Sequence, residues 1–302
     1  MPDKKKTYPD ICDYEGSNYR TEFWEGQGRD YEDRVERVAL RRLLPEKGTR
    51  LLELGAGFGR LTKEYVGYDQ IVLLDYSFSQ LQDARQVHGD SGRYIYVAAD
   101  AYKMPFQSGI FDGVSMIRTI HHMSDVPAVL NQIRRTMAPE GTFILEHANK
   151  QNLKAIMRYA IRRQDWSPYD HQPLEFVELN FDFHPEYMRD ALKDARFEVE
   201  ERLPVSFFRV SMFKRALPTN ALVTIDSILQ WTRLLVTPSI FIRSQAVGTS
   251  PDNTRVDNVT ALFADPETGM PLKRKGDEMV CERTGTRYAI RDGIYDFKAS
   301  LD

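Results

Sequence analysis

The 302-residue chain is 42% hydrophobic and 28% charged, with 41 Lys and Arg against 44 Asp and Glu and a formal net charge of −3. That length suffices for one large domain with an appendage. The near-neutral balance excludes a global positive field of the kind that gathers nucleic acid, so a nucleic-acid partner is not expected.

In chain order, residues 31–44 predict an amphipathic helix through Val35, Val38, Ala39 and Leu43, stopped by Pro45 and Gly48. Residues 1–45 are expected to form an N-terminal helical cap. Short apolar runs follow at 50–54, 71–74, 94–97, 113–117 and 142–146, alternating with helical patterns such as 126–137. Continuous apolar strands separated by helices predict an α/β fold, a parallel sheet covered on both faces. His184-Pro185 opens a further helix that leads to a strand at 197–203. Residues 149–183 and 205–238 interrupt the alternation, the second as a helical insert, and both are placed to cover a site. The main domain is expected to span 46–248. Gly, Ser, Pro, Asp and Asn then cluster at 247–258, a linker composition, and residues 259–302 predict a small β-rich module. The longest apolar region, 221–242, is broken by Asp226, Gln230 and Arg233, so no membrane span is expected. The basic start has no apolar run behind it, and Cys12 and Cys281 cannot build a disulfide framework. A cytoplasmic protein without a signal peptide is therefore expected.

The chemistry concentrates in LLELGAGFGR at 51–60. Glycines after a buried strand let the backbone turn sharply and approach a ligand, and a helix after them would offer free N–H groups. Dinucleotide-binding loops begin the same way. Here, however, Arg60 stands where that fingerprint needs a third small residue, and Glu53 precedes the glycines, where a pyrophosphate gains nothing from negative charge. Asp75 closes the second strand, placed to accept from both hydroxyls of a ribose. The loop suits a ligand with an ammonium and a sulfonium better than one with two phosphates.

ELGAGFG, LLDYS, ADAYKMPF, FDGVSMIRTIHH and LNQIRRTMAPEGTFILE resemble, in order and interval, the motifs of class I S-adenosylmethionine-dependent methyltransferases over residues 34–203. The resemblance implies a doubly wound Rossmann-like sheet of seven strands, S-adenosyl-L-methionine as cofactor, and methyl transfer. It implies that Glu53, Gly55, Ala56 and Gly57 line the methionine and ribose side, that Asp75 holds the ribose hydroxyls, and that Tyr76 stacks on adenine with Gln80 near it. Asp100 and the N–H of Ala101 would meet the adenine ring, and Ile117 and Arg118 the sulfonium. Pro139-Glu140-Gly141 departs from the family's Pro-Gly-Gly. Gly59 serves either the ligand or helix packing; Asp112 reads as a strand-start residue.

Methyl transfer from a sulfonium needs alignment above all, with a base only where the acceptor must lose a proton. His121 and His122, just past the fourth strand, are the candidate catalytic bases. The Asn- or Asp-Pro-Pro-aromatic signature of enzymes acting on base or amide nitrogens is replaced by Ile117-Arg118-Thr119-Ile120, and a Pro-Cys nucleophile is absent. A small-molecule acceptor, apolar or aromatic, is expected, bounded by aromatics drawn from Tyr14, Tyr19, Phe23, Trp24 and Tyr31 in front of the core and Trp166, Tyr169, Phe176, Phe181 and Phe183 behind it. Residues 207–215 mix apolar and basic side chains in the manner of a peripheral membrane contact; the plainer reading is a cap packed on the domain. Residues 265–269, 281–285 and 288–294 resemble the zinc-ribbon-like domain that activates certain tRNA and protein methyltransferases. Its four metal positions here are Asp265, Thr268, Cys281 and Thr284, a poor donor set for zinc, so no metal is expected. Such a module keeps open a second reading, a macromolecular partner recruited through it by a methyltransferase or a non-catalytic cofactor binder.

Overall fold

The computed structural model describes residue 9, residues 11–17, residue 24, residues 27–256 and residues 258–301. The first helix, α1 (Asp30–Leu43), precedes β1 (Gly48–Leu54) and β2 (Tyr68–Asp75). Then come α2 (Phe78–His88), β3 (Tyr94–Ala98), β4 (Phe111–Met116), α3 (Val126–Thr136) and β5 (Met137–Ala148). The first insert holds α4 (Leu153–Ala160) and a hairpin of β6 (Leu174–Val177) and β7 (Asn180–Asp182). It is followed by α5 (Pro185–Asp194), β8 (Phe197–Val205), α6 (Ser211–Ala216), α7 (Thr219–Leu229) and β9 (Ser239–Ala246). Four short strands close the order, β10 (Lys273–Lys275), β11 (Glu278–Val280), β12 (Arg287–Arg291) and β13 (Ile294–Asp296).

The sheet runs β10-β11-β12-β13-β3-β2-β1-β4-β5-β9-β8. From β3 to β5 all pairings are parallel, while β9 runs antiparallel between β5 and β8. Side chains alternate across it: Leu52, Leu54, Val72 and Leu74 face the layer with α3 and α5, and Leu51, Ile71 and Leu73 face α1, α2 and α7. Burying each aliphatic side chain contributes about 1.5–3 kcal/mol, which is why these strands read as unbroken apolar runs. Polar caps set the helix starts: Ser77 accepts from Gln80, Asp125 from Ala128, and His184 from Glu186 ahead of Pro185.

Three expectations change. The loop after β1 leads into no α-helix. Only a 3-10 turn at Thr62–Glu64 stands before β2, because the glycines at 55, 57 and 59 all take positive φ and too few residues remain for a full helix. Residues 239–246, to which no strand was assigned from sequence, form β9; Pro238 ends the insert and the residues after it take the free edge of β5. And the C-terminal strands form no sheet of their own. β13 pairs in parallel with β3, Phe106 bridges Phe263, and Phe263, Tyr288, Tyr295 and Phe297 belong to the same buried cluster as Val72 and Val97.

Candidate active site

The carboxyl ends of β1, β2 and β4 meet where the strand order reverses, the position at which open α/β sheets bind ligands. The turn after β1 is fixed by the neighbouring strand. Gly55 and Ala56 donate their N–H groups to the Leu74 carbonyl at 2.8 and 3.1 Å, and Gly57 donates to Asp75 Oδ2 at 2.7 Å. Asp75 Oδ1 accepts from Ser77 N at 2.9 Å. Burial pushes the Asp75 pKa up, and these backbone donors hold it back. The three glycines differ in purpose. A Cβ on Gly55 would strike Thr119 and one on Gly59 would strike His88, whereas one on Gly57 would enter open space, 4.0 Å from Gln80 Oε1.

That space belongs to a cleft of about 780 Å³, mouth included, bordered by Gly55, Gly57, Asp75, Tyr76, Gln80, Asp100 and Ala101. Ile11, Cys12 and Tyr14 border its other side, a contribution that the sequence did not signal for the first two. Asp100 Oδ1 accepts from Tyr102 N at 2.8 Å, and burial raises its pKa. Gln80 is buried; its Nε2 donates to Ser17 O at 3.2 Å, and its Oε1 has no hydrogen-bond partner among the described residues.

A second cleft adjoins the first, sharing Leu54, Gly55, Gly57 and Arg118. Glu53, Ala56 and Ile117 line it, with Trp24 and Arg60 opposite. Glu53 is buried, its pKa pushed up to about 7 by that burial and restrained by a 2.5 Å hydrogen bond from Thr62. Arg118 stands in the left-handed region, φ 56°, its N–H given to Glu146 Oε2 at 2.9 Å. Its guanidinium turns to Glu36 of α1, whose carboxylate also takes Arg60 Nη2 at 2.8 Å. Burial raises the Glu36 pKa, but Arg118 and Arg60 more than reverse this and leave it below the ordinary carboxylate value. Trp24 lies over Arg60, 3.7 Å from the guanidinium carbon to the ring centre. Glu36 escaped sequence reading, although a carboxylate on the same stripe as Val35, Ala39 and Leu40 was a signal that it has a buried partner.

The histidines part company. His122 borders the first cleft. Its Nδ1 lies 2.9 Å from the Leu179 carbonyl, which can only accept, so Nδ1 carries the proton and the Nε2 lone pair faces the Tyr14 hydroxyl at 3.2 Å. Burial lowers its pKa. His121 packs beside it, ring centres 4.1 Å apart, with Nδ1 buried and unpartnered among the described residues; burial, then the proximity of His122, holds its pKa well below the ordinary value.

Of the aromatics named from sequence, Tyr14 and Trp24 border the clefts; Tyr19 and Phe23 lie outside the described residues. Tyr31 is core, donating to Asp226 Oδ2 at 2.5 Å. Phe183 is core as well, Phe181 stacks on it, and Tyr169 and Phe176 face solvent. Asp112 is structural, accepting from Thr49 N and Arg50 N. At the C-terminal knuckles Asp265 accepts from Glu267 N and Thr268 N at 2.9 and 2.8 Å, and Thr284 hydrogen-bonds Cys281 and lowers its thiol pKa.

Residues 52–145, which hold the glycine turn, Asp75, Asp100 and His122, match the family model described as a methyltransferase domain. Residues 52–145 are thus a methyltransferase domain. Its fold is that of class I methyltransferases, as in a solved Haloferax volcanii complex of the Trm112 methyltransferase activator and a methyltransferase (TM-score 0.52, 20% identity, 74% of this chain and 95% of that one). Among curated relatives are the O-methyltransferase cnsE of Penicillium expansum, 29% identical over 150 residues, and the malonyl-[acyl-carrier protein] O-methyltransferase of Legionella pneumophila, 32% identical over 124. These matches cover 46% and 40% of this chain, and the chain spans about half the length of these relatives, 54% and 43%. The cofactor of the methyltransferase domain is S-adenosylmethionine. The residues present fit it: the open space at Gly57, the unpartnered Gln80 Oε1 and the Asp75 carboxylate converge where a ribose and its amino-acid arm would lie. Among the described residues, no helix of the methyltransferase-bearing chain is long and apolar enough to cross a membrane.

Proposed function

We propose that the chain transfers a methyl group to a small-molecule acceptor that loses a proton in the process, with His122 as the base. One observation carries this reading: the Nε2 lone pair of His122 faces the cleft side occupied by the Tyr14 hydroxyl while its Nδ1–H is tied to Leu179. The bound cofactor supplies an electrophilic methyl group on a sulfonium. Asp75 would accept from the ribose hydroxyls, and Asp100 and the Ala101 N–H would hold the adenine beside Tyr76. Glu53 would stand toward the ammonium end of the amino acid. An acceptor hydroxyl that takes the place of the Tyr14 hydroxyl delivers its proton to Nε2. The fixed tautomer keeps that nitrogen unprotonated at neutral pH, because burial lowers the His122 pKa. The O-methyltransferase names of the relatives support an oxygen acceptor.

The domain division at about residue 248 enters this reading as a functional one: residues 46–248 bind cofactor and acceptor, and residues 259–302 brace the adenine edge through β13. Calorimetric titration with S-adenosylmethionine, S-adenosylhomocysteine and NAD tests the cofactor. A screen of phenolic and carboxylic acceptors, read by S-adenosylhomocysteine release, tests the acceptor. Binding of NAD in place of the adenosyl ligands would sink the proposal, as would full turnover by His122→Ala once an acceptor is known.

A further inference from the structure

α4 lies on the surface with its apolar side uncovered. Only Ala155 of its eight residues is buried. Leu153, Met157 and Ile161 are 54%, 60% and 61% exposed, and their spacing of four places them on one stripe. Lys154 and Arg158 form the stripe beside it, Arg162 follows in the turn that ends the helix, and residues 150–164 contain no Asp or Glu. A second exposed apolar segment lies near its start. Leu153 donates its N–H to the Val236 carbonyl at 2.7 Å, which sets the start of α4 beside the chain that leaves α7. There Ile228, Trp231 and Leu234 are 63%, 61% and 57% exposed, and the only charge in residues 227–238 is Arg233.

We infer that α4 and residues 228–234 dock the protein on a membrane surface bearing anionic headgroups. Charge complementarity selects this occupant. Lys154, Arg158, Arg162 and Arg163 enter no ion pair among the described residues, so their positive field is left to a partner. A second copy of the chain, meeting this face about a twofold axis, would set these cations against themselves. The apolar side chains project from the surface and line none of the larger clefts. Projecting Leu, Ile, Met and Trp flanked by Lys and Arg is the arrangement that sinks into a bilayer interface. α4 also springs from the carboxyl end of β5, the sheet edge at which the cofactor cleft opens. This inference does not depend on the acceptor proposed above.

Flotation of the full chain with vesicles tests it, using phosphatidylcholine alone and phosphatidylcholine mixed with phosphatidylglycerol. The chain is expected to float with the mixed vesicles, about tenfold more than with phosphatidylcholine alone, and less at high salt. Met157→Glu with Ile161→Glu, and separately Trp231→Glu with Leu234→Glu, should each lower binding about tenfold while leaving the thermal midpoint unchanged, since these positions are exposed. Trp231 emission should shift to the blue on binding, a change absent from Trp231→Phe. Failure of the wild-type chain to float with either vesicle overturns the inference. So does vesicle binding that survives both acidic pairs, since attraction is then charge alone, or a dimer that the same pairs convert to a monomer without vesicle binding.

Discussion

The N–H of Gly57 and the carboxylate of Asp75, 2.7 Å apart, tie the turn after the first strand to the end of the second. The carboxylate thereby has two tasks, shaping the turn and meeting the ligand. Asp75→Asn keeps the side-chain size and sets an NH2 donor against one of the two backbone N–H groups, of Gly57 or Ser77, that the carboxylate accepts. The expected outcome is a loss of adenosyl-ligand affinity of about tenfold or more, roughly 1.4 kcal/mol, with little change in the thermal midpoint. Titration calorimetry beside scanning calorimetry checks both.

Glu36 is fully buried between Arg60 and Arg118. Removing one member of a buried charge set leaves the others uncompensated, at a cost of about 3–5 kcal/mol. Glu36→Gln should therefore lower stability by that order in denaturant titration, and should loosen Arg118 at the cleft, weakening cofactor binding as well. Unchanged stability would mean that Asp33, which also pairs with Arg60, suffices as counter-charge.

If His122 is the base, Tyr14→Phe removes the hydroxyl opposite Nε2 and leaves the proton-accepting lone pair in place. That variant should retain turnover within about tenfold, while His122→Ala should lose about 10²–10⁴-fold. Because burial holds the His122 pKa below 6.5, the midpoint of the acid-side fall in kcat/KM should lie below that of a free imidazole. His121→Ala, away from the cleft lining, separates a packing effect from a catalytic one.

His147 lies at the carboxyl end of β5, fully buried, its Nε2 unpartnered among the described residues. Burial depresses its pKa to about 4, so it is neutral in the fold at any pH above that. An unfolded chain takes up this proton near pH 6.5. Acidification from 6.5 to 4 therefore favours the unfolded state, by about 3 kcal/mol at the lower end. His147→Leu should flatten this part of the stability-against-pH curve; an unchanged slope would assign the acid loss to other groups.

Deleting residues 259–302 uncovers the β3 edge and the Phe106 side chain, which packs between Phe111 and Phe263. The expected product is aggregated or lacks a cooperative unfolding transition. A soluble, cofactor-binding truncation would show instead that the first nine strands suffice.

The alternating strands and helices, the glycine turn and Asp75 were legible because each rests on local pattern: unbroken apolar runs, three glycines, an acid closing a strand. Gln80, Asp100 and Ala101 followed from the order of the motifs and do face the cleft. What the sequence hid was non-local. Ile11 and Cys12 reach the cleft from a segment without periodicity, and Leu179 fixes the His122 tautomer from 57 residues away. The helix expected after Gly59 was a local reading defeated by three successive positive-φ glycines. β9 was masked because its apolar residues continue those of α7. The C-terminal strands read as a separate module because composition marks the linker, and only pairing reveals which edge they join.

Position along the chain gives the β3–β13 pairing a temporal meaning. β3 is completed by residue 98 and its outer neighbour begins at 294, so during synthesis that edge waits, unpaired, for most of the chain to be made. Domains fold from their N-terminal parts as they emerge, and open strand edges invite foreign pairing meanwhile. The adenine side of the cleft, whose Asp100 follows directly on β3, is thus the last part of the binding site to be secured, and only a chain translated through residue 296 can secure it.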